Sequence, residues 1–197
     1  METQTGVRIK IVEKTGVKLE NLLHKSNPWQ GEDCQRDGCL LCLTKRETGK
    51  FLDQDCTKRC ITYETWCITC ERREQKRIDE EHPEEDEKAR MKRYQQIRLF
   101  KYIGESSRSI YERGLEHLRD LEELKTDSHM LKHFCEMHTG EEIKDMKFGC
   151  RILKQSQTAF NRQINESVEI QSNNFHYILN SKSEYNRCAL PRLSAKL

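Results

Sequence analysis

The chain has 197 residues, enough for one sizeable core, or one core with a small module. Apolar and charged residues each make up 35% of it and the net charge is only +2. That excludes a membrane-spanning bundle and gives no global basic signal for nucleic acid; it implies a modest core beneath a charged surface. Ten cysteines stand out. Met1-Glu2-Thr3-Gln4 opens no apolar leader, and no run approaches membrane-spanning length, so an intracellular, non-secreted protein away from the membrane is expected. In such a reducing setting, clustered cysteines read as metal ligands before disulfides.

Val7 to Val12 alternates as a strand does, and Val17 to Leu23 reads as a short helix that Asn27-Pro28 ends. A cysteine-rich segment follows, with Cys34, Cys39, Cys42, Cys56 and Cys60. Residues 60–66 are β-branched and aromatic and predict a strand. Residues 71–96 are almost wholly charged or amide-bearing, and Asp79 to Glu87 holds seven acids and no base. They predict a flexible insertion, at most a fraying helix. Ile97 to Ile103 predicts a second strand. Ser109 and Glu112 have the spacing of a capping box, and the helix they open is expected to run to about Lys125. Ser128 offers the N-cap for another helix over 129–138. Met146, Phe148, Cys150 and Ile152 alternate as a third strand. Phe160, Ile164 and Val168 recur every four residues and predict a last helix with that stripe as its apolar side. The expected fold is α+β: a small three-stranded antiparallel sheet flanked by helices, with an N-terminal cysteine-rich zinc module. The expected divisions are 1–58 for the module, 59–182 for the main domain and 183–197 for a tail.

Tyr102-Ile103-Gly104 ends a predicted strand and leads into a helix on which Arg113 and His117 share one face. With Ile61-Thr62-Tyr63 on the preceding strand, Glu166 on the last helix and Asn180 after it, this order resembles the GIY-YIG endonuclease family. It is most similar to the version found in Penelope-like retroelements. Ile61 stands where the family has glycine, and the insertion sets the two tripeptides far apart. The resemblance implies a metal-dependent DNA endonuclease that nicks target DNA. It gives Tyr63, Tyr102, Arg113, His117, Glu166 and Asn180 as site residues. Glu166 would hold Mg²⁺ or Mn²⁺, with Glu169 as the rival ligand. It also implies double-stranded DNA as partner, a nuclear location, and a reverse transcriptase and element RNA associated with the same parent protein. The alternative is a zinc-stabilised DNA-binding or protein-interaction module without turnover.

Cys67-x-x-Cys70 has the spacing of a zinc knuckle, and residues 129–138 offer His129, His133, Cys135 and His138 to complete it. The resemblance selects Cys67, Cys70, His133 and His138. Cys34, Cys39 and Cys42, completed by Cys56 or by Cys60, form a second candidate zinc site.

Overall fold

A computed structural model describes residue 34 and residues 36–180, all within one compact unit. The strand and helix expected before residue 24 lie outside the described residues, as does the tail from 181. Among the described residues are six α-helices and three strands. In chain order they are α1 (Leu40–Thr48), β1 (Ile61–Cys67), α2 (Ile68–Glu81), α3 (Glu87–Gln95), β2 (Lys101–Ser106), α4 (Ile110–Glu122), α5 (His129–Met137), β3 (Phe148–Gln155) and α6 (Ala159–Ser172). The sheet is antiparallel throughout, in the order β2-β1-β3. The α+β class and the three-stranded sheet are as the sequence predicts.

All seven residues of the central strand β1 are buried. Strand side chains alternate between faces. Ile61, Tyr63 and Cys67 join the main core, with Leu40 and Leu41 of α1, Ile110 and Leu121 of α4, and Met130 of α5. The opposite face carries Thr62, Glu64 and Trp66. There a smaller core of Ile103, Ile170 and Ile178 seats α6. The expected capping box forms at α4: Glu112 N–H donates to Ser109 Oγ, and Ser109 N–H donates to the Glu112 carboxylate. Ser128 caps α5.

Four expectations need correction. The charged insertion is a pair of helices, α2 and α3. Ion pairs one turn apart link Arg77 to Glu74 and Glu81, and Arg93 and Arg90 reach Glu85 and Asp79. Asp86 caps α3, and Ile78 gives the hairpin a buried apolar contact. Helix-spaced charge pairs supply what the missing apolar side cannot. Second, β2 begins at Lys101; residues 97–100 precede it as irregular chain. Third, the stripe on α6 faces outward: Phe160 and Val168 are exposed, while Arg162 and Ile170 are buried. The row that meets the sheet is Arg162, Glu166, Ile170, because Arg162 pairs at 2.7 Å with Glu105 of β2 and is thereby made buriable. Fourth, the cysteine-rich segment is no separate module. Cys39, Cys42 and Cys56 belong to the same core as β1, and Thr44 of α1 accepts a hydrogen bond from Cys150 N–H of β3.

The outer edge of β2 is closed by residues 178–180. Leu179 N–H donates to Lys101 O, and the Asn180 side chain mimics a strand: its Oδ1 accepts from Ile103 N–H at 3.0 Å and its Nδ2 donates to Ile103 O at 2.7 Å. Asn180→Ala leaves both backbone groups of Ile103 unpaired. It should cost about 1–3 kcal/mol, lowering the melting temperature by several degrees in a thermal scan while bound metal stays unchanged.

Candidate active site and metal centres

Tyr63 lies directly across from Gly104 in the β1–β2 register, and Thr65 across from Tyr102. A Cβ on Gly104 would stand 2.7 Å from the Tyr63 hydroxyl and 2.8 Å from the Tyr102 ring. The glycine of the second tripeptide is therefore required by sterics: it is the gap through which the Tyr63 ring crosses β2. Beyond that gap the Tyr63 hydroxyl meets α4. Arg113 Nε donates to it at 3.0 Å, and His117 Nε2 lies 2.7 Å away. Arg113 and His117 reach the same hydroxyl because they are one helical turn apart.

The electrostatics fix the protonation states. Burial pushes the Tyr63 phenol well above its usual range, partly offset by Arg113 and reinforced by Tyr102 and Glu166. Burial, and then the Arg113 cation, depress His117 from 6.5 to about 3. Burial works against the Arg113 charge too, but the Tyr63 and Tyr102 hydroxyls more than offset it. Near neutral pH the set is thus a cation, a neutral phenol and a neutral imidazole. Since Arg113 donates into the hydroxyl oxygen, the hydroxyl proton points to His117 Nε2. Arg113 Nη1 is also held by Glu116 at 2.8 Å, which pairs with Arg108 as well.

Tyr63 itself is fully buried. Tyr102, Arg113, His117 and Lys132 line an open groove of about 290 Å³ next to it. Glu166 comes from α6, half-buried on the row that meets the sheet, and its charge acts on Tyr63. Glu169 lies off that row. Asn180 does not enter the groove; it acts on the strand that carries Tyr102 and Gly104. Two residues of this neighbourhood escape a reading of the sequence. One is Glu116, whose signal is its place three residues after Arg113. The other is His129, whose ring stacks on Tyr102 at 4.0 Å and 12°, with Nε2 2.9 Å from Thr65 Oγ1. Its signal is the shared face with His133, which the histidine spacing presents only as a ligand alternative.

Both cysteine clusters assemble. Cys67, Cys70, His133 and His138 bring one donor atom each to within 4.8 Å of one another, and so do Cys34, Cys39, Cys42 and Cys56. Cys60 is excluded: its φ of 58° turns the thiol toward Ser107 O. Each cluster could hold a metal ion such as zinc. Donor pairs of 3.4 Å between Cys70 Sγ and His133 Nε2, and 3.4 Å between Cys34 and Cys42 sulfurs, are near the edge of a tetrahedron with zinc bonds of about 2.0–2.3 Å. The surroundings suit metal. Cys70 N–H donates to Cys67 Sγ, as at a knuckle. Glu141 lies 3.2 Å from His138 Nδ1, leaving Nε2 for the metal, and Arg73 holds Glu141 at 2.6 Å. The hydrogen bond from Cys70 lowers the Cys67 thiol and that from Cys39 lowers Cys56, while the donors Cys70 and Cys39 are raised in return. Each cluster thus favours one thiolate, held by a neighbouring thiol.

Comparison with family models, with curated proteins and with solved structures found no match to this chain. Among the described residues no helix is long and apolar enough to cross a membrane.

A pH prediction follows from His117. Its folded pKa lies below the unfolded value, so between about 6.5 and 3 the unfolded chain binds a proton that the folded chain refuses. Stability from this residue is present above 6.5 and lost as pH falls toward 3. In urea titrations, His117→Gln should lose up to about 1.4 kcal/mol per pH unit of the parent's slope in that window. Equal slopes for parent and variant would contradict the neutral, buried histidine.

Proposed function

We propose that the chain is a metal-dependent DNA endonuclease of the GIY-YIG kind, with zinc in both cysteine clusters as structural metal. One observation carries the reading: Tyr63, Arg113 and His117 share a single hydroxyl beside a groove that Tyr102 lines, with the charge of Glu166 acting on that hydroxyl. A guanidinium fixed by a buried phenol suits a phosphodiester, which is anionic and gains charge in its transition state.

In this reading Glu166, with waters, would hold Mg²⁺ or Mn²⁺, and the ion would supply Lewis-acid polarisation of the phosphate. Arg113 neutralises the phosphate, trading Glu116 for it. Tyr102 hydrogen-bonds the phosphate or the attacking water at the groove. Tyr63, sealed from solvent, acts as a positioning residue that aligns Arg113 and His117. His117, with a pKa of about 3, is a weak base at rest. Its one lone pair, at Nε2, is taken by the Tyr63 hydroxyl, so its role is to hold that hydroxyl for Arg113; a phosphate against Arg113 cancels one of the two causes of the depression and strengthens that hold. Asn180 keeps Tyr102 and Gly104 in register. Double-stranded DNA as partner, and nuclear action within a mobile element that also encodes a reverse transcriptase, belong to the same proposal.

The test is supercoiled-plasmid nicking in Mg²⁺. Glu166→Ala and Arg113→Ala should each slow nicking by about 10²-fold or more, while DNA binding, which spreads over many backbone contacts, survives. Glu169→Ala should be much milder. Parent-rate nicking by both variants, or binding without cleavage by the parent, would contradict the assignment. Elemental analysis should find two zinc ions per chain, with Cys70→Ser releasing one and lowering the melting temperature. A zinc-free parent would overturn the metal reading.

A further inference from the structure

The sheet face turned away from Tyr63 holds a second cavity, of about 400 Å³, a size that takes a small ligand. Two side chains of β1, Glu64 and Trp66, form part of its wall. They alternate with Tyr63 and Thr65, so this cavity and the groove at Arg113 lie on opposite faces of one strand.

Aromatic rings and cations line the cavity together. Phe51 and Trp66 meet edge to face at 6.1 Å, and Tyr94 and Tyr177 contribute further rings. The cations are Lys50, Arg98, Lys101 and Arg151, against two acids, Glu64 and Glu71. Both acids are buried and already engaged. Glu71 accepts from Trp66 Nε1 at 2.8 Å and from Lys50 at 2.9 Å, and Glu64 pairs with Arg151 at 2.8 Å and Lys101 at 3.4 Å. The lining therefore keeps an excess of positive charge. Arg151 Nε is buried and, despite its nearness to Glu64, makes no hydrogen bond in line; its guanidinium lies 5.3 Å from the centre of the Phe51 ring. Arg98 lies over Tyr177 in the same way, at 5.8 Å. Asn173 and Asn174 also line the cavity; Asn173 Nδ2 donates to Glu169 O and Asn174 Oδ1 accepts from His176 N–H, which leaves Asn173 Oδ1 and Asn174 Nδ2 as the amide groups to offer. Phe51 itself sits at a φ of 59°, a conformation that costs a non-glycine residue energy.

Flat rings paired with guanidinium groups, a surplus of positive charge and amide groups in the lining match one ligand chemistry, a planar base carrying a phosphate. We propose that this cavity binds a nucleotide unit, either a free mononucleotide or one nucleotide of a single strand. The proposal does not rest on the nuclease reading, because no residue of the Arg113 groove takes part.

The sequence contains two tryptophans, so Trp29→Phe leaves Trp66 as the single reporter in the full chain. Its fluorescence is followed during titration with thymidine monophosphate, with a ten-residue oligothymidylate and with inorganic phosphate. A saturable change with the mononucleotide or the oligonucleotide, and none with phosphate, is expected. Much tighter binding of the oligonucleotide identifies a strand as the ligand; equal affinities identify the free nucleotide. Arg98→Gln with Tyr177→Ala should weaken binding by about tenfold or more, and Arg98→Gln alone by several-fold, should the double variant not fold. Arg113→Ala should leave the affinity unchanged. No saturable change with either nucleotide ligand, an equal response to phosphate, or unaltered affinity in the Arg98→Gln variants would overturn the proposal.

Discussion

A strand buried along its whole length must satisfy both faces at once, and β1 does so with different chemistry on each. One face sends the Tyr63 ring over Gly104 to meet Arg113 and His117. The other places Glu64 among Lys101 and Arg151, and Trp66 against Glu71. Because register in a sheet is set residue by residue, a slip of one position would exchange the two sets. The pairing of Tyr63 with Gly104 resists such a slip, since no other β2 residue leaves room for the ring. Asn180 makes the same register harder to lose by holding Ile103 from the outer edge.

The cysteine clusters serve this strand from both ends. Cys67 terminates β1, and its cluster joins that end to α5, the helix that also carries His129 beneath Tyr102. Cys56 lies just before β1, and its cluster joins that end to α1. Tyr111 N–H donates to Cys56 O and Ile110 N–H to Lys58 O, so the start of α4 is tied to the same loop. Metal in each cluster would fix the helices that deliver Arg113, His117 and His129, which a modest apolar core alone holds less firmly. The active-site proposal and the metal proposal are in this sense one mechanical account.

Much of this was legible in the sequence because the signals are local. Capping at Ser109 and Ser128, the β-branched and aromatic run of β1, alternation along β3, and the cysteine and histidine spacings each depend on neighbours a few residues apart. The failures share a cause of the opposite kind. The row of α6 that meets the sheet is Arg162, Glu166 and Ile170, and it faces the sheet only because Glu105, 57 residues earlier, neutralises Arg162. Hydrophobic periodicity sees Phe160 and Val168 instead. Residues 71–96 look unstructured to any measure of apolar burial, yet charge pairs one turn apart and the Tyr94–Asp79 contact organise two helices. Choosing Cys56 over Cys60 needed the backbone turn at Cys60, which no spacing encodes. Residues 97–100, apolar enough to suggest a strand, lead along the second cavity instead: Ile97, Arg98 and Leu99 line it.

In the proposed reaction this groove directs water at a phosphodiester. The most direct measurement is the fate of solvent oxygen. The full zinc-loaded chain is incubated with supercoiled DNA and Mg²⁺ in ¹⁸O-water, and the terminal phosphate at the nick is analysed by mass spectrometry. The account predicts nicked DNA with one solvent oxygen in each new terminal phosphate. DNA that stays intact, or nicks whose phosphates carry no label, would contradict it.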